Sequence, residues 1–328
     1  MTTCRFFLVL GVIISLTAAT VPHSFAAPLE KSESVPITKT FSIGGKLKYL
    51  FRSYTSYEFA NPFFPYQDPL SRLEFPLDTW WGGLDMRLNL SRFSFGLEGL
   101  TNLTQNAHGQ FKDSDWDDGA RPEEKTIYSR SDMRVAPSYM VRFDTDMDVS
   151  DWLSLPKWLS IRPVGGMRWQ KFNLVSHDGV QWDLTGDTPS IALPGEGIRF
   201  KQQYWQYFIG LRSRVDLSYI TGIQSLVLLV QGDWAYVEGE NEDNHLLRPG
   251  RRFTCENTYG YAWHASIGLK KYIGDNFGIG LELDYLTLTT TGNHRLLNET
   301  LGMDASWSDI ATVWSKQAGL SFSVEYRF

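Results

Sequence analysis

Cysteine is nearly absent from this chain: of 328 residues only Cys4 and Cys255 carry a thiol. Cys4 falls within an export signal and leaves with it, so the mature chain keeps one cysteine and no intramolecular disulfide can form. Nor does Cys4 follow the apolar stretch, as a lipid-anchored cysteine would. No run of about 18 apolar residues occurs after the signal, so no membrane-spanning helix is expected. Positive charge is also in short supply, with 31 Lys and Arg against 37 Asp and Glu and a net charge of −6. That balance argues against a nucleic-acid partner. No nucleophile elbow is found, which removes a serine-hydrolase reading. His108, His177, His264 and His294 lack the spacing of zinc ligands.

What is present begins with residues 1–26, which read as a secretory signal. Arg5 supplies the positive start, Phe6 to Ala19 the apolar stretch, and Ser24-Phe25-Ala26 the small residues before cleavage. Losing its single arginine leaves the mature chain one unit more negative. Residues 27–40 read as a loose lead-in, and 27–328 as a single domain. The far end, Ala318-Gly-Leu-Ser-Phe-Ser-Val-Glu-Tyr-Arg-Phe328, places an apolar residue at every even position. Such alternation gives a strand one apolar and one polar face. The mean hydropathy of −0.26 looks soluble, but a barrel reads that way because every second strand residue is polar. Twelve Trp and 14% aromatic residues suit girdles at two membrane interfaces.

Period-two windows mark ten strands, near 42–58, 72–90, 93 onward, 132–147, 158–174, 205–217, 224–238, 257–271, 276–290 and 312–328. In the first, Leu47 and Tyr49 face out while Lys46, Lys48 and Arg52 face in. The connections alternate. Long ones fall at 59–71, 103–131, 175–199, 239–256 and 291–311, and short ones near 91, 149–157, 219–223 and 273–275. With a periplasmic start, every long loop lands outside the cell. The fold class expected is therefore all-β, a ten-stranded antiparallel transmembrane β-barrel with long extracellular loops. Strands of roughly 16–18 residues at about 3.3 Å per residue rise well beyond an apolar band of about 25 Å, so the barrel should stand proud of the outer leaflet. Charged residues crowd the inward positions, which fills a narrow lumen with ion pairs and opposes a passive channel.

Two motifs carry chemistry. Asp113-Ser-Asp115-Trp-Asp117-Asp118-Gly119 is the densest acidic cluster. It reads as a solvated loop, as a calcium loop with Glu124 as the distal ligand, or as a catalytic carboxylate pair. The calcium reading lacks the glycine needed at the sixth position, where Asp118 stands, and lacks flanking helices. Asp243-Asn-His245 reads either as a surface histidine or as an Asp–His pair in which the carboxylate accepts Nδ1–H and raises the basicity of the other nitrogen. Loops two and four emerge on the same side of the barrel. Across its mouth, Asp113 and Asp115 could face Asp243 and His245 and hold a water for peptide hydrolysis. His264 is expected to face the lumen as a hydrogen-bonding group.

In these motifs the chain resembles the omptins, outer-membrane proteases of Gram-negative bacteria. Asp113-Ser-Asp115-Trp116 is similar to the family's D-x-D-W. Asp243-Asn-His245 with Pro249-Gly-Arg-Arg252 is similar to its D-x-H and P-G-K/R-R, and Lys201-Gln-Gln203 before Phe208-Ile-Gly-Leu211 is similar to its sixth strand. The resemblance implies an extracellular groove in which His245 is the base, Asp243 its orienter, and Asp113, supported by Asp115, the partner for water. Polypeptides outside the cell would be the substrates, with no cofactor beyond lipopolysaccharide as an activator. Basic residues at the cleavage site are also implied, yet Asn241 stands where the family has an acid, flanked by Glu240 and Glu242 as candidate substrate contacts. The family's first-strand acid is replaced near Arg52. Lys171 matches a lipopolysaccharide-binding position, while Gln203 and Trp169 stand where an arginine and an acid are expected. A catalytically inactive barrel acting as an adhesin and a small channel are the alternatives.

Overall fold

The computed structural model describes residues 40–64 and 66–328, so the expected signal and all but the last residue of the lead-in lie outside it. In chain order the strands are β1 (Thr40–Phe59), β2 (Ser71–Pro76), β3 (Trp80–Leu90), β4 (Phe93–Asn102), β5 (Phe111–Asp115), β6 (Ile127–Met147), β7 (Leu159–Asp183), β8 (Ile191–Asp216), β9 (Leu226–His245), β10 (Arg252–Ile273), β11 (Phe277–Asn298) and β12 (Met303–Arg327). They form one antiparallel sheet in the order β12-β11-β10-β9-β8-β7-β6-β4-β3-β1-β2-β5, closed by pairings of β12 with β1 and of β6 with β5. Ser42 lies opposite Arg327 and Phe59 opposite Ala311 across the closing seam. No helix among the described residues is long and apolar enough to cross a membrane.

The sheet departs from the expected strands in two ways. The stretch expected as one strand over 72–90 is two, β2 and β3, lying end to end along β1. The cause is a bulge in β1, where the register shifts between Phe51 and Tyr54 and Arg52 takes φ 49°. Asp78, in the gap between β2 and β3, accepts the backbone N–H of Arg52 at 2.9 Å and of Ser53 at 2.6 Å. An extra residue in a strand inverts the facing of everything beyond it. Arg52 is consequently exposed rather than lumenal, and Thr55 and Tyr57 become the fully buried inward residues of upper β1. In the same way β4 and β5 follow one another along β6, so β5 lies inside what the sequence marks as a loop.

The other departure is length. Strands β7, β8 and β12 run to 25, 26 and 25 residues, and only 184–190 and 246–251 remain as connections where 175–199 and 239–256 were expected. Both faces of these extensions carry polar residues, so the apolar alternation that reveals a strand is missing there.

Outward-facing side chains form a continuous apolar band. Leu84, Leu97, Ile209, Leu211, Ile267, Leu269, Leu281, Leu283, Leu320 and Phe322 are all exposed. Aromatic residues border it. Tyr49 packs on Trp80 at 4.8 Å and Trp169 on Trp205 at 6.0 Å on one side, and Phe277 on Tyr326 at 5.1 Å on the other.

The lumen is filled. Asp144 and Asp146 are clamped by Arg87, Arg142, Arg162 and Arg212. Lys46 bridges Glu98 and Glu282, and Lys48 meets Asp284. A cavity of about 380 Å³ remains among these charges, near the short turns. Above it, the Arg168 guanidinium lies 4.0 Å over the ring of Phe208 and 2.6 Å from Asp233. His264 Nδ1 joins the same carboxylate at 2.9 Å, as its inward parity implies. A layer of Gln170, Gln206 and Gln317 follows. Removing one partner of a buried, fully paired charge leaves the other desolvated at a cost of about 3–5 kcal/mol. Asp233→Ala should accordingly lower the free energy of unfolding in detergent by about that amount, measured by denaturant titration, whereas Arg92→Ala, at an exposed pair with Asp151, should change it by less than about 1 kcal/mol.

Candidate active site

The closed ring decides which residues can meet. β5 is four pairings from β9 through β6, β7 and β8, and six by the other route. Inward residues of the two strands therefore face each other across the mouth. In β9 the odd positions point inward: Asn241 and Asp243 are buried and His245 half-buried, while Glu240 is exposed on the opposite face. From β5 come Asp113 and Asp115, held by pairing to β2 on one side and β6 on the other. Asp243 and His245 thus lie on the last residues of a strand, and Asp113 and Asp115 on a short strand, rather than in loops.

His245 Nε2 lies 3.0 Å from Asp243 Oδ2. The sequence reading had Nδ1 in this role. Two residues apart on one face of a strand, the imidazole lies back along the strand and meets the carboxylate with its far nitrogen, which leaves Nδ1 to take a proton. Burial by itself would lower the His245 pKa, but the charge and hydrogen bond of Asp243, helped by the charge of Asp113, outweigh it and raise the pKa above the ordinary histidine value.

The opposite wall is the mirror case. Burial, followed by the neighbouring Asp115 carboxylate, pushes the Asp113 carboxyl far above the usual carboxylate range, against the opposing pull of His245 and Arg248. Asp115 is raised in the same sense by burial, although a hydrogen bond from Ser71, its cross-strand partner, and the charge of Arg248 moderate the effect. Neighbouring carboxyls resist ionising together, and burial adds to that resistance. Arg252, the cross-strand partner of His245, feels all three of Asp113, Asp115 and Asp243. These side chains lie near enough to act on one another's ionisation.

Several of its atoms are buried without a partner: Asp113 Oδ1, Asp243 Oδ1 and Arg252 Nε. Buried polar atoms in a folded protein are normally satisfied, so these mark where water or a substrate group belongs. An imidazole base, a carboxylate behind it and a proton-bearing carboxyl pair across a gap can deprotonate water and protonate or polarise the group it attacks. Glu240 and Glu242, expected as substrate contacts, are not brought here. They lie on the outer face of β9, where Glu242 pairs with Lys201 at 2.9 Å. Lys171 also faces outward, opposite Gln203 and Tyr139. Ser71, Arg248 and the inward layer below Asp243 were missed. Parity along β9 already puts Asn241 on the side of Asp243, but no local signal could bring Ser71 to Asp115.

The fold and the cluster define a closed β-barrel with a paired Asp–Asp and Asp–His site at one mouth. The family model for the omptin family matches residues 77–328, and the chain belongs to that family. Among solved structures, the outer membrane protease OmpT from Escherichia coli superposes with a TM-score of 0.78 at 16% identity, covering 90% of this chain and 99% of that one. The translocator domain of the autotransporter NalP from Neisseria meningitidis is far less similar, with a TM-score of 0.36 at 7% identity, covering 89% of each chain. No curated protein sequence matches the chain.

A base must be neutral to act, and a raised pKa keeps His245 protonated to higher pH. Activity should therefore rise along an acid limb lying above the ordinary histidine value of about 6.5. Asp243→Asn removes the charge that raises it. In a kcat/KM–pH profile the limb of that variant should move to lower pH while the plateau falls.

Proposed function

We propose that this protein is an outer-membrane endopeptidase of a Gram-negative bacterium, cleaving polypeptides on the extracellular side with an activated water. The single observation that carries the reading is the convergence of Asp113 and Asp115 with Asp243 and His245 at one mouth of an omptin-family barrel. Two interrupted staves, β2 with β3 and β4 with β5, reduce the twelve strands to ten crossings, an even number as bacterial outer-membrane barrels have. The apolar band and its aromatic borders sit in the bilayer, and the site stands above it. Short turns then face the periplasm.

In the reaction, His245 Nδ1 takes a proton from water as that water attacks the scissile carbonyl. Asp243 orients the ring and stabilises the imidazolium that forms. Asp113, held towards its protonated form by burial and by the neighbouring Asp115, donates to the carbonyl oxygen as negative charge develops there, and Asp115 with Ser71 supports it. The leaving amine regains its proton from His245. Water is the nucleophile throughout, so no acyl-enzyme forms. Lipopolysaccharide would act as an activator from the outer wall, where Lys171 offers a cation to its phosphates. A basic preference has lost its sequence candidates, since Glu240 and Glu242 face away from the groove. The packed lumen argues against a channel.

Refolded protein with lipopolysaccharide should cleave members of a peptide library. His245→Ala and Asp113→Ala should each lower kcat/KM by about 10²–10⁴-fold while heat-modifiable migration on gels persists. Glu240→Gln should leave it unchanged. A wild type that cleaves no member would instead favour the catalytically inactive barrel. Lys171→Ala should raise the lipopolysaccharide concentration needed for half-maximal activity; an unchanged value would remove that residue from the lipid contact.

A further inference from the structure

On the outer wall, above the aromatic border, a row of alternating rings and cations backs the acidic side of the mouth. Arg72 of β2 points outward because Ser71, Leu73 and Phe75 take the inward positions. Its Cζ lies 5.2 Å from the ring centroid of Trp314 in β12 and 5.6 Å from that of Trp116, the residue after β5. Lys125 Nζ lies 5.3 Å from the same Trp116 ring and 5.0 Å from that of Tyr128 in β6. Arg72 Nε also donates to Glu58 Oε2 of β1 at 2.7 Å. One guanidinium thus joins β12, β1 and the end of β5 to its own strand.

The inner face of the same short stretch carries the acids. Ser71 lies opposite Asp115 and Leu73 opposite Asp113. Trp116 N–H donates to the Leu70 carbonyl at 2.9 Å, and Thr126 N–H to the Asp115 carbonyl at 2.9 Å. β2 and β5 have only 6 and 5 residues, against 20 for β9 on the facing wall. Backbone bonds alone therefore hold this panel less firmly than its counterpart. A cation over an aromatic face contributes about 0.5–1 kcal/mol at an exposed site, and here two such contacts and an ion pair share one guanidinium. We propose that Arg72 is a positioning residue for the acidic wall: clamped between Trp116 and Trp314 on the outer face, it fixes β5 so that Asp113 and Asp115 stay buried at the mouth. Arg72 touches neither substrate nor reacting atoms. The inference rests on the reading of the mouth as a hydrolytic site and adds the residue that holds one half of it in place.

Loosening β5 admits water to Asp113. Burial is the main cause that pushes this carboxyl up, to about 8, so hydration lowers it. The alkaline limb of the kcat/KM–pH profile, where Asp113 loses the proton it donates, then moves to lower pH, while the acid limb set by His245 stays. Asp115, His245, Asp243 and Arg248 also act on Asp113, and none of them is altered. Loss of the Arg72 charge by itself would move Asp113 the other way. The test uses the full-length barrel in detergent with lipopolysaccharide, with heat-modifiable migration reporting that each variant is folded. Arg72→Met, which keeps the stem and loses the cation, should lower kcat about 10–10²-fold with KM little changed, and shift the alkaline limb down. Arg72→Lys keeps a cation among the rings but not the planar fork, and should fall between wild type and Arg72→Met. Trp314→Leu, on a strand that carries no site residue, should move the same limb in the same direction, and the double variant should shift no further than the larger single one. Hydrogen exchange at the Trp116 amide should quicken in Arg72→Met whether or not any peptide is cleaved, with the β9 amides unchanged. Faster exchange beside an inactive wild type would uphold the clamp and overturn the protease reading. An unmoved alkaline limb in Arg72→Met, a shift of both limbs together, or unchanged exchange at Trp116 would overturn the clamp.

Discussion

Closure of the sheet is the constraint on which everything else hangs. With β12 hydrogen-bonded to β1, no strand edge is left open, and each residue has one of two fates, outward or inward. A closed ring also turns sequence separation into angular position. Asp113 and Asp243 are 130 positions apart in the chain, yet they belong to opposite arcs of one small ring. The chemistry at the mouth is a consequence of that circular bookkeeping and not of any local motif.

Closure forces a narrow lumen, and its filling follows the depth of the chain. Towards the short turns, arginines and aspartates satisfy one another in a dense network. Higher up, stacked rings take over: Phe75 on Phe200 at 4.3 Å and Tyr57 on Phe200 at 6.0 Å. Buried polar atoms without a partner occur at the mouth and in the layer just beneath it, and also lower in the lumen at Arg142 Nε, Arg168 Nη1, Gln206 Oε1, Asp284 Oδ2 and Ser321 Oγ. Leaving buried groups unpaired costs stability, and active sites are where such a cost is tolerated because binding repays it.

The same burial that makes the mouth costly also sets the ionisation of its side chains. Desolvation acts on both walls, but with opposite outcomes. Against it, Asp243 keeps its histidine charged to higher pH, whereas Asp113, beside a second acid, is driven towards its neutral form. In the proposed reaction one wall accepts a proton and the other donates one, from three carboxyls and one imidazole whose ionisation is set by neighbours rather than by residue type.

Where one face of a strand contacts an apolar surroundings and the other a polar lumen, alternation is written into the residues themselves, and Ile209, Leu211, Leu281 and Leu320 could be placed outward by counting. Parity along β9 also puts Asn241, Asp243 and His245 on the face opposite Glu240 and Glu242, which the family resemblance nevertheless offered as substrate contacts and the structure turns outward. Counting fails where its physical basis ends. Above the apolar band both faces carry polar residues, so the upper ends of β7, β8 and β12 read as loops. At Arg52 a bulge held by Asp78 reverses the parity, and no pattern within β1 announces it, because the stabilising carboxylate comes from the segment between β2 and β3. Which residues share a strand face was a property of the chain; which faces confront one another, which histidine nitrogen meets Asp243, and which polar atoms are left without partners were decided only when the sheet closed, since those depend on distances between segments that are remote in sequence.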